Sequence, residues 1–450
     1  MARALHCPHP MNLWHTLGHR RHALLFGVGL LGLAMVGCGQ ADGGGGTSVS
    51  SRSTIGTAFG GGGDADGESS GFFDTGASGV GTASDPAGGG EGTEGCVDPA
   101  DPLCGVVPAG QLTAGEWRDL DHWDFWLELM SSEAHAAHQS SWGYETTLRV
   151  PVHVSSAGEA VIDARADLLD GAGAVVWTNR TDSLGRAELF AGVFEPSVGP
   201  YSVRVSTEAQ TVTVADVSPS WLTPVEIEMA APSAPATALD LMFVIDTTGS
   251  MWDELSYIQA ELADVIRRAR AESVDSFALR SSFNFYRDEG DAYVVHSNPF
   301  TADDSVALSA LAAESAGGGG DWPEAVDQAM HDAIFGHEWS QAATARLLFL
   351  VLDAPPHETP AIMARLREAN REAAARGVKI IPLVGTGIDE RTEFLMRFMA
   401  MTTNGTYVFL TDDSGIGGAH LEPTIGAHKI WLLNDLLVHL IVHEVSPISP

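Results

Sequence analysis

Between residues 147 and 230, apolar residues recur at every second position. Leu148, Val150, Val152 and Val154 share one face, and Ile162, Ala164, Ala166 and Leu168 share another. Tyr201, Val203 and Val205, then Val225, Ile227 and Met229, repeat the alternation. Turn residues separate these runs at Asp170-Gly171, Leu184-Gly185 and Ser197 to Pro200. Short alternating strands at this spacing predict a small antiparallel β-sandwich over 147–232. From Leu239 the texture changes. LDLMFVID is a continuous apolar run closing on a carboxylate, the pattern of a parallel strand buried on both faces. Leu255, Ile258, Leu262, Val265 and Ile266 then fall on one helix face, and Ser250 with Asp253 predicts a capping box at its start. Further strands are predicted at 278–286, 293–296, 346–353, 378–384 and 406–410, and helices at 323–334, 360–376, 389–402 and 428–444. This alternation predicts an α/β fold with a doubly wound parallel sheet over 238–445, whose ligand site lies outside the carboxyl ends of the strands.

The N-terminal third has neither periodicity. Arg20, Arg21 and His22 precede an apolar run, Ala23 to Val36, that ends at Gly37-Cys38. This is the pattern of an export signal, too short to span a bilayer comfortably. A small residue directly before Cys38 resembles the lipobox of bacterial lipoproteins. That resemblance implies cleavage after residue 37 and acylation of Cys38, so that residues 1–38 act as a lipoprotein signal peptide. Gly39 in the next position fits delivery to the outer membrane. Residues 39–109 are Gly-, Ser- and Asp-rich and cannot bury enough apolar area to offset their chain entropy, so they are predicted to be a disordered tether. Within it, Cys96 and Cys104 sit close together; in an oxidising compartment they predict a small disulfide loop. Residues 110–146 stand apart as an aromatic-rich segment, with Trp117, Trp123, Phe125 and Trp126 predicted to dock on a neighbouring domain by burial.

Charge narrows the function. The chain carries 24 basic and 59 acidic residues, a net charge of −35, which repels phosphate backbones and argues against nucleic acid as a partner. Lys379 and Lys429 are its only lysines, and no phosphate-cradling GxxxxGK[ST] loop exists. His439 and His443 stand four apart near the C-terminus without the HExxH order of a metalloprotease, and are predicted to be a polar edge of the last helix. No GxSxG nucleophile elbow surrounds Ser250.

Three segments are predicted to end at the carboxyl edge of the sheet, each carrying oxygen ligands: Asp246-Thr247-Thr248-Gly249-Ser250, the glycine run leading to Asp321 and Glu324, and Asp353-Ala354-Pro355-Pro356-His357. The first resembles the D-x-[ST]-x-S motif of the metal-ion-dependent adhesion site in von Willebrand factor A domains. YRDEGD at 286–291, GGGDWPEAV at 318–326 and LDAPPH at 352–357 are similar to a subset of that family found in bacterial surface proteins and hemicentin-like matrix proteins. FLTDDSGIGGAHLEPTIG at 409–426 is also similar, with no evident mechanism.

The resemblance implies a Rossmann-like domain holding a divalent cation. Thr248 and Ser250 would coordinate it through hydroxyl oxygens. Asp246 and Asp353 would bind through water or hold the hydroxyls in place, and Asp321 would stand where many relatives have Thr. Independently, hard oxygen donors of this mix suit Mg²⁺ first, with Ca²⁺ or Mn²⁺ possible, and disfavour zinc. A third carboxylate would tighten the cation and weaken its pull on an acidic ligand. Tyr286, Arg287, Asp288 and Asp291 are predicted as a salt-bridged loop beside the site, and His357 as part of its rim. The expected function is protein binding, in adhesion or complex assembly, by an exported protein that meets the membrane through its lipid anchor only and is not an enzyme. The alternative is a substrate-recognition or scaffolding subunit of an envelope enzyme or secretion complex.

Overall fold

The computed structural model describes residues 107–230, 237–272 and 277–445. The expected leader with Cys38, the tether up to residue 106 and the Cys96–Cys104 pair lie outside these residues. The described chain opens with β1 (Thr113–Trp117), α1 (Trp123–Met130) and α2 (Glu133–Trp142). Eight strands follow: β2 (Arg149–Ser156), β3 (Glu159–Ala160), β4 (Arg165–Leu169), β5 (Val175–Arg180), β6 (Arg186–Phe190), β7 (Tyr201–Ser206), β8 (Thr211–Val217) and β9 (Val225–Glu228). The remainder alternates through β10 (Ala238–Asp246), α3 (Leu255–Glu272), β11 (Ala278–Tyr286), β12 (Val295–His296), α4 (Asp304–Ala313), α5 (Val326–Phe335) and β13 (Ala345–Leu352). It closes with α6 (Pro360–Arg376), β14 (Val378–Val384), α7 (Glu390–Thr402), β15 (Tyr407–Leu410), β16 (Trp431–Leu432) and α8 (Leu433–Val445).

The main sheet runs β12-β11-β10-β13-β14-β15-β1-β16. Its five central strands are parallel, and β12, β1 and β16 are antiparallel additions at the two sides. Successive residues of the buried strands feed two cores. Leu241, Phe243, Leu347 and Phe349 pack with Leu262, Ile266 and Leu437 of α3 and α8. Met242, Val244, Leu348 and Leu350 pack with Met330, Leu366 and Phe398 of α5, α6 and α7. Helices therefore cover both faces, which is why these strands read as unbroken apolar runs. The chain leaves β10 for β11 on one side and later returns to β13 on the other, so the order reverses between β10 and β13. Asp246 and Asp353 stand at the carboxyl ends of those two strands, at the switch point where open α/β sheets bind ligands.

Several expectations change. The capping box does not form: residues Gly249–Asp253 wind as a 3₁₀ turn before α3, and the Ser250 hydroxyl lies instead 3.2 Å from that of Thr248. Helix α4 was not anticipated; it is Ala- and Ser-rich and buries only Ala307 and Leu311. The aromatic segment is not wholly a docking element, because its first strand, β1, pairs with β15 inside the main sheet. Its tryptophans fill the adjoining core: Trp126 donates to Thr146 Oγ1 at 3.2 Å and Trp142 to the Arg391 carbonyl at 2.8 Å.

The sandwich has two sheets, β3-β2-β6 with β9 beside β2, and β5-β4-β7-β8. It is not purely antiparallel, since β9 runs parallel to β2. Leu148 lies outside the strand and is 43 % exposed, and Val161 rather than Ile162 turns inward. The sandwich shares its core with the sheet domain: Trp177 and Val203 belong to the same apolar cluster as Leu366, Ala373 and Phe394.

Candidate functional site

Strand β10 carries Asp246 into full burial at its carboxyl end. One carboxylate oxygen, Oδ1, accepts the Thr248 N–H at 2.8 Å and the Thr248 hydroxyl at 2.7 Å. The other, Oδ2, is buried without a hydrogen-bond partner. Thr247 ties the same loop to the neighbouring strand, donating its N–H and its hydroxyl, each at 2.9 Å, to the Tyr286 carbonyl. The loop is thus wound so that two hydroxyls and a carboxylate stand on one side.

The glycine run is threaded against it. Gly317 N–H donates to Thr247 O at 3.0 Å, and Gly249 N–H to Gly318 O at 3.3 Å. Gly318 and Gly319 have φ of 81° and 73°, left-handed values that glycine adopts without strain. A side chain at Gly319 would meet Glu324 Oε1 at 3.2 Å and Thr248 Cβ at 3.5 Å, so bare backbone is needed where the loops converge. The third loop joins through Glu324 N–H, which donates to Pro355 O at 2.9 Å.

Glu324 is only 3 % exposed. Its Oε2 and Asp353 Oδ1 are, like Asp246 Oδ2, buried without a partner. Burial, followed by the charge of Asp353, pushes Asp246 up to about 7. Burial is also the largest cause that pushes Asp353 up to about 6. For Glu324, burial and then the charges of Asp246, Asp288, Asp353 and Asp291 push the carboxyl up to about 9. The Tyr286 hydroxyl, buried near the same carboxylates, is raised well above its ordinary value, by burial first and by their charge next. Native structures seldom leave buried polar atoms unpaired. Three orphaned carboxylate oxygens from three loops, under mutual repulsion and with two hydroxyls alongside, form a donor set that fits a hard divalent cation.

Of the predicted ligands, Asp246, Thr248 and Ser250 are brought together by hydrogen bonds, and Asp353 shares their electrostatic surroundings. Asp321 is exposed. Its carboxylate instead gathers with Asp288 and His357, their ligating atoms all within 4.8 Å of one another. The buried third carboxylate is Glu324, which the sequence places in the second loop without singling it out as a ligand. A signal existed: Glu324 directly precedes Ala325-Val326, the apolar lead into α5, which hints at burial. The salt-bridged loop also differs from expectation. Arg287 donates to Ser315 O at 2.7 Å and lies over the Tyr293 ring, while Asp288 accepts from His357 Nε2 at 2.9 Å in the protonation state that carries hydrogen there. The segment at 409–426 acquires a role: Asp412 Oδ1 accepts the His420 N–H at 2.9 Å and holds its ring nitrogen at 2.7 Å, and His420 Nε2 stands 3.6 Å from buried Glu254.

Two large aromatics border the site in solvent. Trp252, on the 3₁₀ turn, is 74 % exposed, and Trp322, beside Asp321, is 48 % exposed. A cavity of about 720 Å³ lined by Arg180, Arg280, Arg346 and Arg376 lies elsewhere: Arg280 and Arg346 are near the starts of β11 and β13, at the opposite end of the parallel strands.

Residues 240–417 match the family model of the von Willebrand factor A domain. The matched stretch begins in β10 and ends beyond β15, and so contains all three loops. No curated protein matches the chain.

Proposed function

We propose that this is a protein-binding module acting through one divalent cation, Mg²⁺ first among the candidates, held by Asp246, Thr248, Ser250 and Asp353 with Glu324 beside them. The observation that carries this reading is the trio of buried, unpartnered carboxylate oxygens at the switch point of the sheet. In the absence of a cation they repel one another; a bound cation supplies the missing partner for each. A metal-ion-dependent adhesion site works by leaving the ion a free position for an acidic side chain of the partner. Here the third carboxylate lowers the net charge of the filled site, so the ion by itself attracts an acidic ligand weakly. Exposed Trp252 and Trp322 supply the complementary contact, as tryptophan does at the centre of many protein interfaces. The sandwich, fused through a shared core, gives these loops a rigid base. A lipid on Cys38 and the tether after it would present the domain at the cell surface, and the chain's role there is binding rather than catalysis.

The test is capture of partners from a cell-envelope extract on the purified chain, in Mg²⁺ and in chelator, beside an Asp246→Asn chain. The expected result is a partner retained in Mg²⁺ alone and lost by the variant. Equal retention in all three would defeat metal-dependent binding. A hydrolytic activity that disappears with chelator would defeat the non-catalytic reading.

A further inference from the structure

Four arginines from separate segments line the cavity of about 720 Å³ at the far end of the parallel strands, a volume typical of small-molecule sites. Arg180 closes β5, Arg280 is the third residue of β11, Arg346 the second of β13 and Arg376 the last of α6. A neighbouring cavity of about 410 Å³ shares Arg280 and His337 with it. The chain has 24 basic residues against 59 acidic, yet among the described residues that line the larger cavity Glu338 is the one carboxylate.

Each guanidinium is held from behind. Asp163 accepts from Arg346 and from Arg180, and Asp240 accepts from Arg280 Nε at 3.0 Å and Nη2 at 2.8 Å. Ser340 joins these two pairs. Its carbonyl accepts from Arg346 Nε at 2.7 Å, while its hydroxyl accepts from Arg280 Nη2 and donates to Asp240, both at 3.0 Å. Arg376 donates to the Ile334 carbonyl at 2.6 Å and to Glu372 at 2.7 Å. Arg180 packs beside that helix end, since a Cβ on Gly377 would come within 2.9 Å of Arg180 Cβ. The rings of Phe300 and Phe335 lie under the Arg280 and Arg376 guanidiniums. These partners leave donors over. Among the described residues, no hydrogen bond uses Arg180 Nη1, Arg280 Nη1 or Arg376 Nη2. These three side chains are partly exposed, whereas the Asp163 and Asp240 side chains are 8 % and 0 % exposed. The carboxylates thus lie behind the arginines, and the guanidiniums meet the cavity first.

We infer that this cavity binds a small ligand carrying two or more oxyanion groups, phosphate or carboxylate, with Arg180, Arg280 and Arg376 as its contacts and Arg346 as a buried charge behind them. A guanidinium presents paired N–H donors that match either group. Here the guanidiniums are already fixed by carboxylates, carbonyls and rings, so binding immobilises little that was free and loses little entropy. Structural pairing alone accounts for Arg346, every nitrogen of which is engaged. It does not account for three more arginines that each keep an unengaged nitrogen beside one cavity. Nothing at this site depends on the proposed cation, which belongs to the opposite end of the strands.

The experiment is calorimetric titration of the full chain, freed of metal on a chelating resin, with pyrophosphate and separately with citrate. One molecule of at least one probe is expected to bind per chain, and more weakly as salt rises. Arg180→Gln and Arg376→Gln are each expected to weaken that binding by about tenfold or more. Arg371→Gln replaces an exposed α6 arginine outside the cavity and is expected to bind as the wild type does, as is Asp246→Asn. Binding of pyrophosphate alone identifies phosphate as the group recognised, and binding of citrate alone identifies carboxylate. Thermal melts establish that each variant is folded; Arg376→Gln leaves Asp163 and Asp240 paired, so it decides the matter should Arg180→Gln not fold. Failure of both probes to bind, equal binding by wild type and Arg376→Gln, or an equal loss in Arg371→Gln or Asp246→Asn overturns the inference.

Discussion

Asp163, in the turn before β4 of the sandwich, accepts two hydrogen bonds from the guanidinium of Arg346, the second residue of β13, at 2.9 and 3.0 Å. Arg180 donates to the same carboxylate, and Arg346 is almost wholly buried. One sandwich carboxylate thus neutralises a charge planted at the start of a central strand of the main sheet. The pair explains why the sandwich is not a separable spacer: withdrawing it would leave Arg346 charged and without its counter-ion.

Removing Asp163 should therefore cost far more than a surface ion pair. Asp163→Ala is expected to destabilise the chain by about 3–5 kcal/mol, the usual consequence of stranding a buried charge. Asp163 has φ of 60°, a value Asn tolerates and Ala resists. Asp163→Asn thus isolates the charge from the backbone. Denaturant unfolding of both variants, and of Asp163→Asn combined with Arg346→Met, measures this; a double variant no better than the single would count against the charge explanation.

Acid should reveal the same pair. Burial acts to raise the Asp163 carboxyl, but the hydrogen bonds and charges of Arg346 and Arg180 outweigh it and hold it below the ordinary value. A depressed carboxylate contributes stability that is complete above its unfolded pKa, near 3.9, and is lost as pH falls through the folded one. Circular dichroism melts below about pH 4 should show a steeper loss in the wild type than in Asp163→Asn. Parallel curves would disprove the assignment.

At the proposed cation site the sign reverses. Asp246→Asn removes one of three mutually repelling buried carboxylates, so in chelator the variant is expected to be more stable than wild type, by about 1–2 kcal/mol. In Mg²⁺ the order should invert, because only the wild type gains stability from the ion. Thermal melts with and without Mg²⁺ decide; a variant less stable in chelator would mean that Asp246 holds the loop rather than waiting for a cation.

His420 governs the 409–426 segment. Burial lowers its pKa, yet the nearby charge of Glu254 and the hydrogen bond and charge of Asp412 raise it above the ordinary value on balance. A raised histidine stabilises fully below its unfolded pKa, near 6.5, and that stability is lost as pH rises through the folded one. Hydrogen exchange in 411–426, corrected for intrinsic rates, should accelerate as pH rises above about 6.5 in the wild type. His420→Gln should show no such step. A pH-independent wild type would remove the anchor.

The strands and helices of the sheet domain were legible because each run obeys a single period: β13 is apolar throughout, and α3 repeats its apolar face from Leu255 to Ile266. Asp246, Thr248 and Ser250 were legible because five consecutive residues contain them. Glu324 was only partly legible: the apolar Ala325-Val326 after it hints at burial, but nothing local makes it rather than Asp321 a member of the buried group. The path of the turn before α5 decides which of the two carboxylates is buried, and that path is tied down by the Glu324 N–H bond to Pro355 O. The place of β1 was equally hidden, because a five-residue strand is assigned to a sheet by its partner, here β15 nearly three hundred residues away.

By itself the sequence determined most of the order of elements, the doubly wound α/β class, the sandwich and the three loops at the carboxyl edge of the sheet, all consequences of hydrophobic period and local turn chemistry. Tertiary structure alone decided that sandwich and sheet share one core, that Glu324 faces Asp246 and Asp353, and that Asp321 joins Asp288 and His357. The reason is physical: periodicity reports which face of an element is buried, while the meeting of distant carboxylates depends on how the loops pack around one another.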